Sequence, residues 1–137
     1  ADSFRLGEIY AAASQEKSVS PEKKAEYFKA GDELFQTIAD RTPDNYQAVL
    51  MRARINITDS SKPQDKVREL YEEVLKRAGK SEDVKSARTE ADRYLIFYYI
   101  NKDMLQDARR VTNDLLSIDP TNAVAKNAEA YLKQQGV

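Results

Sequence analysis

Apolar residues recur along this chain at helical spacing. Val67, Leu70, Tyr71, Val74, Leu75 and Ala78 stand at i, i+3, i+4, i+7, i+8 and i+11, the stripe that one face of an α-helix presents. They predict a helix over about 63–78, opened by a Ser61–Gln64 capping box and stopped at Gly79. Glu72 with Lys76, and Glu73 with Arg77, are i, i+4 pairs expected on its outer face. Six more segments read alike. Leu6, Ile9, Tyr10 and Ala13 mark a helix over about 2–16. Ser20 as cap and Pro21 in the first turn open one over about 21–41, with Phe28, Gly31, Phe35 and Ile38 as its buried stripe. Val49, Ala53 and Ile57 mark about 45–58, and Ala91, Tyr94, Leu95, Tyr98 and Tyr99 mark about 82–101. Asp103 with Gln106 is expected to cap the next helix, which carries Leu105, Ala108, Val111, Leu115 and Ile118 and stops at Asp119-Pro120. The last helix, about 122–134, is expected to bury Val124, Ala128, Tyr131 and Leu132. The run from Tyr94 to Ile100 is rich in strand formers. Its flanks favour helix, its spacing stays helical and no partner strand stands elsewhere, so a helix is expected there too.

The chain also matches itself. Thr42-Pro43-Asp44-Asn45 and Asp119-Pro120-Thr121-Asn122 are equivalent endings, and Gly79 marks a third break without a proline. Gly31, Phe35 and Ile38 precede Pro43 at the same offsets as Ala108, Thr112 and Leu115 precede Pro120. Val67, Tyr71 and Val74 precede Gly79 at those offsets again. A looser recurrence links Leu6-Gly7-x-x-Tyr10, Arg52-Ala53-x-x-Asn56 and Leu95-Ile96-x-x-Tyr99. Together these residues resemble the tetratricopeptide repeat, a helix–turn–helix unit of about 34 residues with the signature W-x2-L-G-x2-Y…A-x3-F…P. The departures are an absent Trp, a first unit stretched between Gln15 and Pro21, and a Pro43-to-Pro120 spacing longer than two periods.

The resemblance implies an all-α, right-handed α-solenoid of antiparallel helix hairpins with about seven helices. Its repeats would span about 2–43, 44–79 and 82–120, followed by a capping helix over 121–137, all in one domain. Small residues such as Gly7, Ala53 and Ala108 would let helices approach closely. The first helix would have no upstream cap, leaving an apolar stripe near Phe4 and Ile9 for upstream repeats or for self-association with a second molecule.

Composition narrows the function. The chain has 137 residues, 22 Lys+Arg against 23 Asp+Glu, and a net charge of −1. That balance lacks the basic surface on which nucleic-acid binding rests, so no nucleic-acid partner is expected. There is no His and no Cys, which removes the commonest general base, the thiolate and the usual zinc ligands. No GxGxxG, P-loop or GxSxG motif is present. The Asp59–Asp65 segment spells a calcium loop faintly, but it lacks the glycine and terminal acid that such a loop needs. A non-enzymatic protein without metal or cofactor is therefore expected. The longest apolar run, Tyr94 to Ile100, is far short of the roughly twenty residues of a membrane span. With neither an initiator Met nor a signal segment, the chain reads as a processed protein or a piece of a longer repeat protein. The compartment stays open between cytoplasmic and, if the parent carries a signal segment, periplasmic or otherwise extracytoplasmic.

What remains is a binding role. The resemblance implies a protein–protein interaction scaffold that holds a peptide or protein on a concave face made by the first helix of each unit. The residues implied there are Gln47, Leu50 and Arg54, and Glu90, Arg93, Phe97 and Asn101, with Glu8 a weaker contributor. Arg54, Arg93 and Phe97 are the side-chain types that make efficient hot spots. Some family members grip a terminal carboxylate with Lys, Asn and Arg. Here the corresponding places hold Phe4, Glu8, Met51, Glu90 and Tyr94, which excludes that ligand. Tyr94 and Tyr98 are open between ligand stacking and core packing, whereas Tyr99 is expected in the core. The alternative function is structural, a C-terminal module supporting assembly of a longer repeat protein.

Overall fold

Local signals set the helices. The computed structural model describes residues 2–137 and places α1 at Asp2–Ser14, α2 at Pro21–Arg41, α3 at Tyr46–Asn56 and α4 at Asp65–Ala78. It places α5 at Lys85–Asn101, α6 at Leu105–Ile118 and α7 at Ala123–Gln134, with a 3-10 turn at Glu82–Val84 leading into α5. The described residues contain no strand, and Tyr94–Ile100 lies within α5. The Ser20 hydroxyl accepts from the Lys23 N–H at 3.3 Å, capping α2 just before Pro21. Gly79 ends α4 at φ 71°, where its missing side chain removes the strain of the left-handed region.

The two proline turns have one geometry. The Thr42 N–H donates to Ile38 at 3.0 Å, the Asn45 N–H to Thr42 at 2.9 Å, and the Asn45 side chain accepts from Ala48 at 3.1 Å. At the second turn Asp119 donates to Leu115 at 2.8 Å and Asn122 to Asp119 at 3.1 Å, while the Asn122 side chain accepts from Ala125 at 3.1 Å. Each turn thus closes one helix and opens the next.

Two expected caps are absent. Gln64, not Ser61, is the N-cap of α4, and its side chain turns back to accept from the Thr58 and Asp59 N–H groups. Ser61 is held instead by the Asp59 carboxylate. The loop's short polar side chains satisfy one another before they reach the helix. Asp103 does not cap α6 either. It sits at φ 56° in the tail of α5, where the following Met104 N–H returns to Tyr99 at 2.8 Å. It therefore stops one helix rather than starting the next, in the left-handed place that Asp tolerates.

Each helix packs on the one before and the one after, and α1 also touches α3 as α5 touches α7. This makes two layers, α1/α3/α5/α7 and α2/α4/α6, in a line of stacked hairpins. An ion pair joins alternate helices in each layer: Arg54 to Glu90 at 2.5 Å between α3 and α5, and Arg110 to Glu72 at 2.6 Å between α4 and α6. Glu72 therefore turns to Arg110 and to the Tyr99 hydroxyl rather than to Lys76. The Glu73–Arg77 pair forms at 2.6 Å, but Arg77 is not on an outer face. It reaches the Ala39 carbonyl in the last turn of α2 and the Asn45 carbonyl at the start of α3.

The recurring positions form the core. Phe35, Val67, Tyr71, Val74, Ala108, Thr112 and Leu115 are buried, as is Gly31, while Ile38 packs half-buried against them. Gly7 is needed for close approach, because a Cβ there would stand 2.7 Å from the Phe35 ring. Two side chains depart from expectation. Phe4 is half-buried, edge-on to Phe35 with ring centroids 5.1 Å apart, so the exposed apolar residues of α1 are Leu6 and Ile9, at 42% and 58%. Tyr131 is exposed at 37%, not buried, because no further helix among the described residues follows α7 to cover it.

The α5–α6 hairpin also buries charge. Arg88 bonds Asp114 at 2.7 Å and donates to the Leu75 and Gly79 carbonyls at 3.3 and 2.7 Å, tying α5 and α6 to the end of α4. Asp92 lies one turn further along α5, fully buried, and its oxygens meet no donor among the described residues. Burial first, and then the Asp114 carboxylate, push the Asp92 carboxyl up to about 9. It is therefore neutral near pH 7.

Candidate functional site

The layer of α1, α3, α5 and α7 carries two adjoining hollows. The first, about 370 Å³, is lined by Ala11 and Gln15, by Met51, Arg54, Ile55 and Ile57, and by Tyr71 and Glu90. The second, about 680 Å³, lies between α5 and α7 and is lined by Ser86, Thr89, Glu90, Arg93, Tyr94, Phe97 and Val124. Glu90 is a wall of both.

Its surroundings explain how Glu90 is held. The Arg54 guanidinium binds it through two nitrogens, at 2.9 and 2.5 Å, and the Tyr71 hydroxyl donates to it at 2.8 Å. Burial works to raise the Glu90 carboxyl, but the Arg54 and Tyr71 hydrogen bonds outweigh it and hold the group below the ordinary carboxylate range. Burial and the same carboxylate push the Tyr71 hydroxyl far above its usual value, so it remains a donor. The floor between α3, α4 and α5 is thus a closed polar triad with no free charge.

The other residues implied by the sequence are less engaged. Arg93 is exposed and forms no ion pair with the described residues. Phe97 is half-buried and meets the Tyr94 ring at 5.7 Å, and the Tyr94 hydroxyl accepts from the Gln64 N–H at 3.0 Å. Gln47 is exposed at the start of α3. Asn101 is exposed at the end of α5, where its amide donates to the Phe97 carbonyl at 2.8 Å.

Of the residues implied by the sequence, Arg54, Glu90, Arg93 and Phe97 line the hollows, whereas Gln47, Leu50 and Asn101 do not. Leu50 is in the core at 8% exposure, because α3 turns it toward the interior, so it offers no contact surface. Tyr98 and Tyr99 are buried as well, and their hydroxyls donate to Asp65 and Glu72, which ends the ligand-stacking reading of Tyr98. Sequence reasoning did not find Tyr71 as the partner of Glu90, nor Ala11, Gln15 and Ile57 in the first hollow. The apolar stripe of α4 announced Tyr71 as core, and nothing local marks the acid its hydroxyl meets.

Stacked antiparallel hairpins with a hollowed inner layer define a helical repeat module, an architecture typical of protein-interaction proteins and not of enzymes. No family model matches the chain, and no curated protein does. Among solved structures it is similar to the C-terminal part of a TPR repeat-containing protein from Cytophaga hutchinsonii, at 25% identity and a TM-score of 0.67, over 89% of this chain and 46% of that one. The fold is thus tetratricopeptide-like, as the recurring residues imply, and the chain spans about half the length of the structure it matches. No helix of the described residues is long and apolar enough to cross a membrane.

Proposed function

We propose that the chain is a non-enzymatic scaffold that holds a peptide or protein segment in the groove along α1, α3, α5 and α7. In this reading it is one domain, with repeats at about 2–43, 44–79 and 82–120 and a cap over 121–137. The observation that carries the proposal is the pair of adjoining hollows, the second of them lined by Phe97 and by Arg93, which forms no ion pair with the described residues. Arg and aromatic side chains in such a place contribute most per residue to binding. Arg54 and Glu90 serve the groove as its fixed floor rather than as free contacts.

The test is a selection of displayed random dodecapeptides on the immobilised protein, followed by mapping. Binding lost on Arg93→Glu with Phe97→Ala, and kept on Leu6→Arg with Ile9→Arg, supports the groove. The opposite result refutes it.

One observation favours a second reading, the structural module. Leu6 and Ile9 are exposed, and Leu6 lines a hollow of about 380 Å³ together with Tyr10, Ala30, Glu33, Leu34 and Thr37. Apolar surface of this kind on the flank of a hairpin is what another hairpin, or a second copy of the chain, would cover. Under that reading, Leu6→Arg with Ile9→Arg turns a self-associating chain into a monomer in light scattering.

A further inference from the structure

We infer that the groove's partner is an extended segment carrying a large apolar side chain beside an acidic one. The apolar side chain enters the hollow between α1, α3 and α4, and the carboxylate meets Arg93. This rests on the groove reading above and supplies its chemistry.

Three observations lead there. The first hollow is walled chiefly by carbon, from Ala11, Met51, Ile55, Ile57 and the Tyr71 ring, and at about 370 Å³ it has room for one large side chain. Glu90 repels an incoming acid little, because Arg54 and Tyr71 already neutralise and bond it. Arg93 is then the uncompensated charge of the adjoining hollow, which Phe97 and Tyr94 also line. The shared Glu90 wall puts both hollows within reach of neighbouring side chains on one segment.

The other occupants fare worse on the same geometry. A basic segment sets like charge against Arg93. A wholly apolar one covers Arg93 and leaves it without a partner, which is costly for a desolvated cation. An acidic-and-apolar segment avoids both. This differs from a terminal-carboxylate grip, since one arginine faces one side chain and the described residues that line the hollows hold no cluster of unpaired cations.

The dodecapeptide selection above tests this through a second readout, the sequences it enriches. The expected pool carries Asp or Glu adjacent to, or one residue from, Leu, Ile, Met or Phe. A synthetic peptide from that pool should bind Arg93→Glu about tenfold or more weakly, bind Arg93→Lys within about threefold of the native chain, and weaken as salt is raised. Selection on Arg93→Glu should enrich Lys or Arg at the acidic place and keep the apolar residue. Arg93 is exposed and unpaired, so these variants are expected to keep the native helical circular dichroism. If groove-dependent peptides are enriched without an acidic residue, or if their charge preference ignores Arg93→Glu, the inference falls and the groove reading stands. If no peptide is enriched, or if binding maps to Leu6 and Ile9, the groove reading itself falls.

Discussion

The first and third hairpins place like residues in unlike surroundings. Leu6 on α1 and Leu95 on α5 stand at the same point of the recurring pattern, yet one is 42% exposed and the other 0%. The difference lies in their neighbours. α5 packs against α4, α6 and α7, whereas α1 packs on α2 and touches α3. In a linear stack the contribution of a side chain depends on how many sides of its hairpin are covered, and only then on what it is. The third hairpin also carries a polar cluster within itself, the Arg88–Asp114 ion pair with the buried, neutral Asp92 beside it, whereas the first hairpin is tied to the second by a half-buried pair, Asp32 on α2 and Arg52 on α3, at 2.9 Å.

That contrast can be broken by substitution. The largest effect is expected in the core of the third hairpin. Leu95→Ala or Leu115→Ala should each cost about 2–5 kcal/mol, since both are fully buried and leave cavities. Leu6→Ala should cost under about 0.5 kcal/mol. Urea denaturation measures both, and equal costs would mean that α1 is as well covered as α5. Arg88→Met should match the Leu95 and Leu115 substitutions, at about 3–5 kcal/mol, because it strands the Asp114 carboxylate and the Gly79 carbonyl. Gly7→Ala should follow at about 1–3 kcal/mol, since its Cβ would stand 2.7 Å from the Phe35 ring. Gly31→Ala should cost less, because its closest neighbour at 2.9 Å is the flexible end of Ile55.

The smallest effect at neutral pH is that of Asp92→Asn, which sharpens the comparison through pH instead. Native Asp92 keeps its proton up to about pH 9, whereas an unfolded chain releases it near pH 4. Between those values the native state binds more protons, so the Asp92 contribution to stability is whole below about pH 4 and is lost as pH rises toward 9. Asp114 acts the other way. Burial works to raise its carboxyl, but hydrogen bonds from Asp92 and Arg88 outweigh it, and its contribution is lost as pH falls below its ordinary value. Urea midpoints at pH 5, 7 and 9 should fall more steeply for the native chain than for Asp92→Asn. Parallel slopes would show that Asp92 does not hold that proton.

Features encoded within one turn of chain were legible from sequence. Pro21 after Ser20, the two Pro-x-Asn turns and Gly79 act on their own backbones, so the ends of α2, α4 and α7 could be read directly. Of the candidate site, Arg54, Glu90, Arg93 and Phe97 were legible because helical spacing puts Glu90, Arg93 and Phe97 on one face of α5 and the repeat aligns Arg54 with them. Pairings across helices were not. Nothing near Glu90 in sequence announces Arg54 or Tyr71, and nothing near Asp92 announces that it will be enclosed. Those depend on the rotation of one helix against another, which is why Leu50 was placed in the groove and lies in the core. Short polar residues also misled: Ser61 is held by Asp59, and Asp103 is taken up in the left-handed stop of α5.

The two proline turns carry a last consequence. Their closing and opening hydrogen bonds run between residues no more than four apart, from Ile38 to Ala48 and from Leu115 to Ala125. A joint that holds its own stop and its own start can be duplicated and moved elsewhere in a gene without asking anything of its new surroundings. Lengthening such a molecule by one more hairpin thus demands compatible flanks, while the bend arrives ready-made.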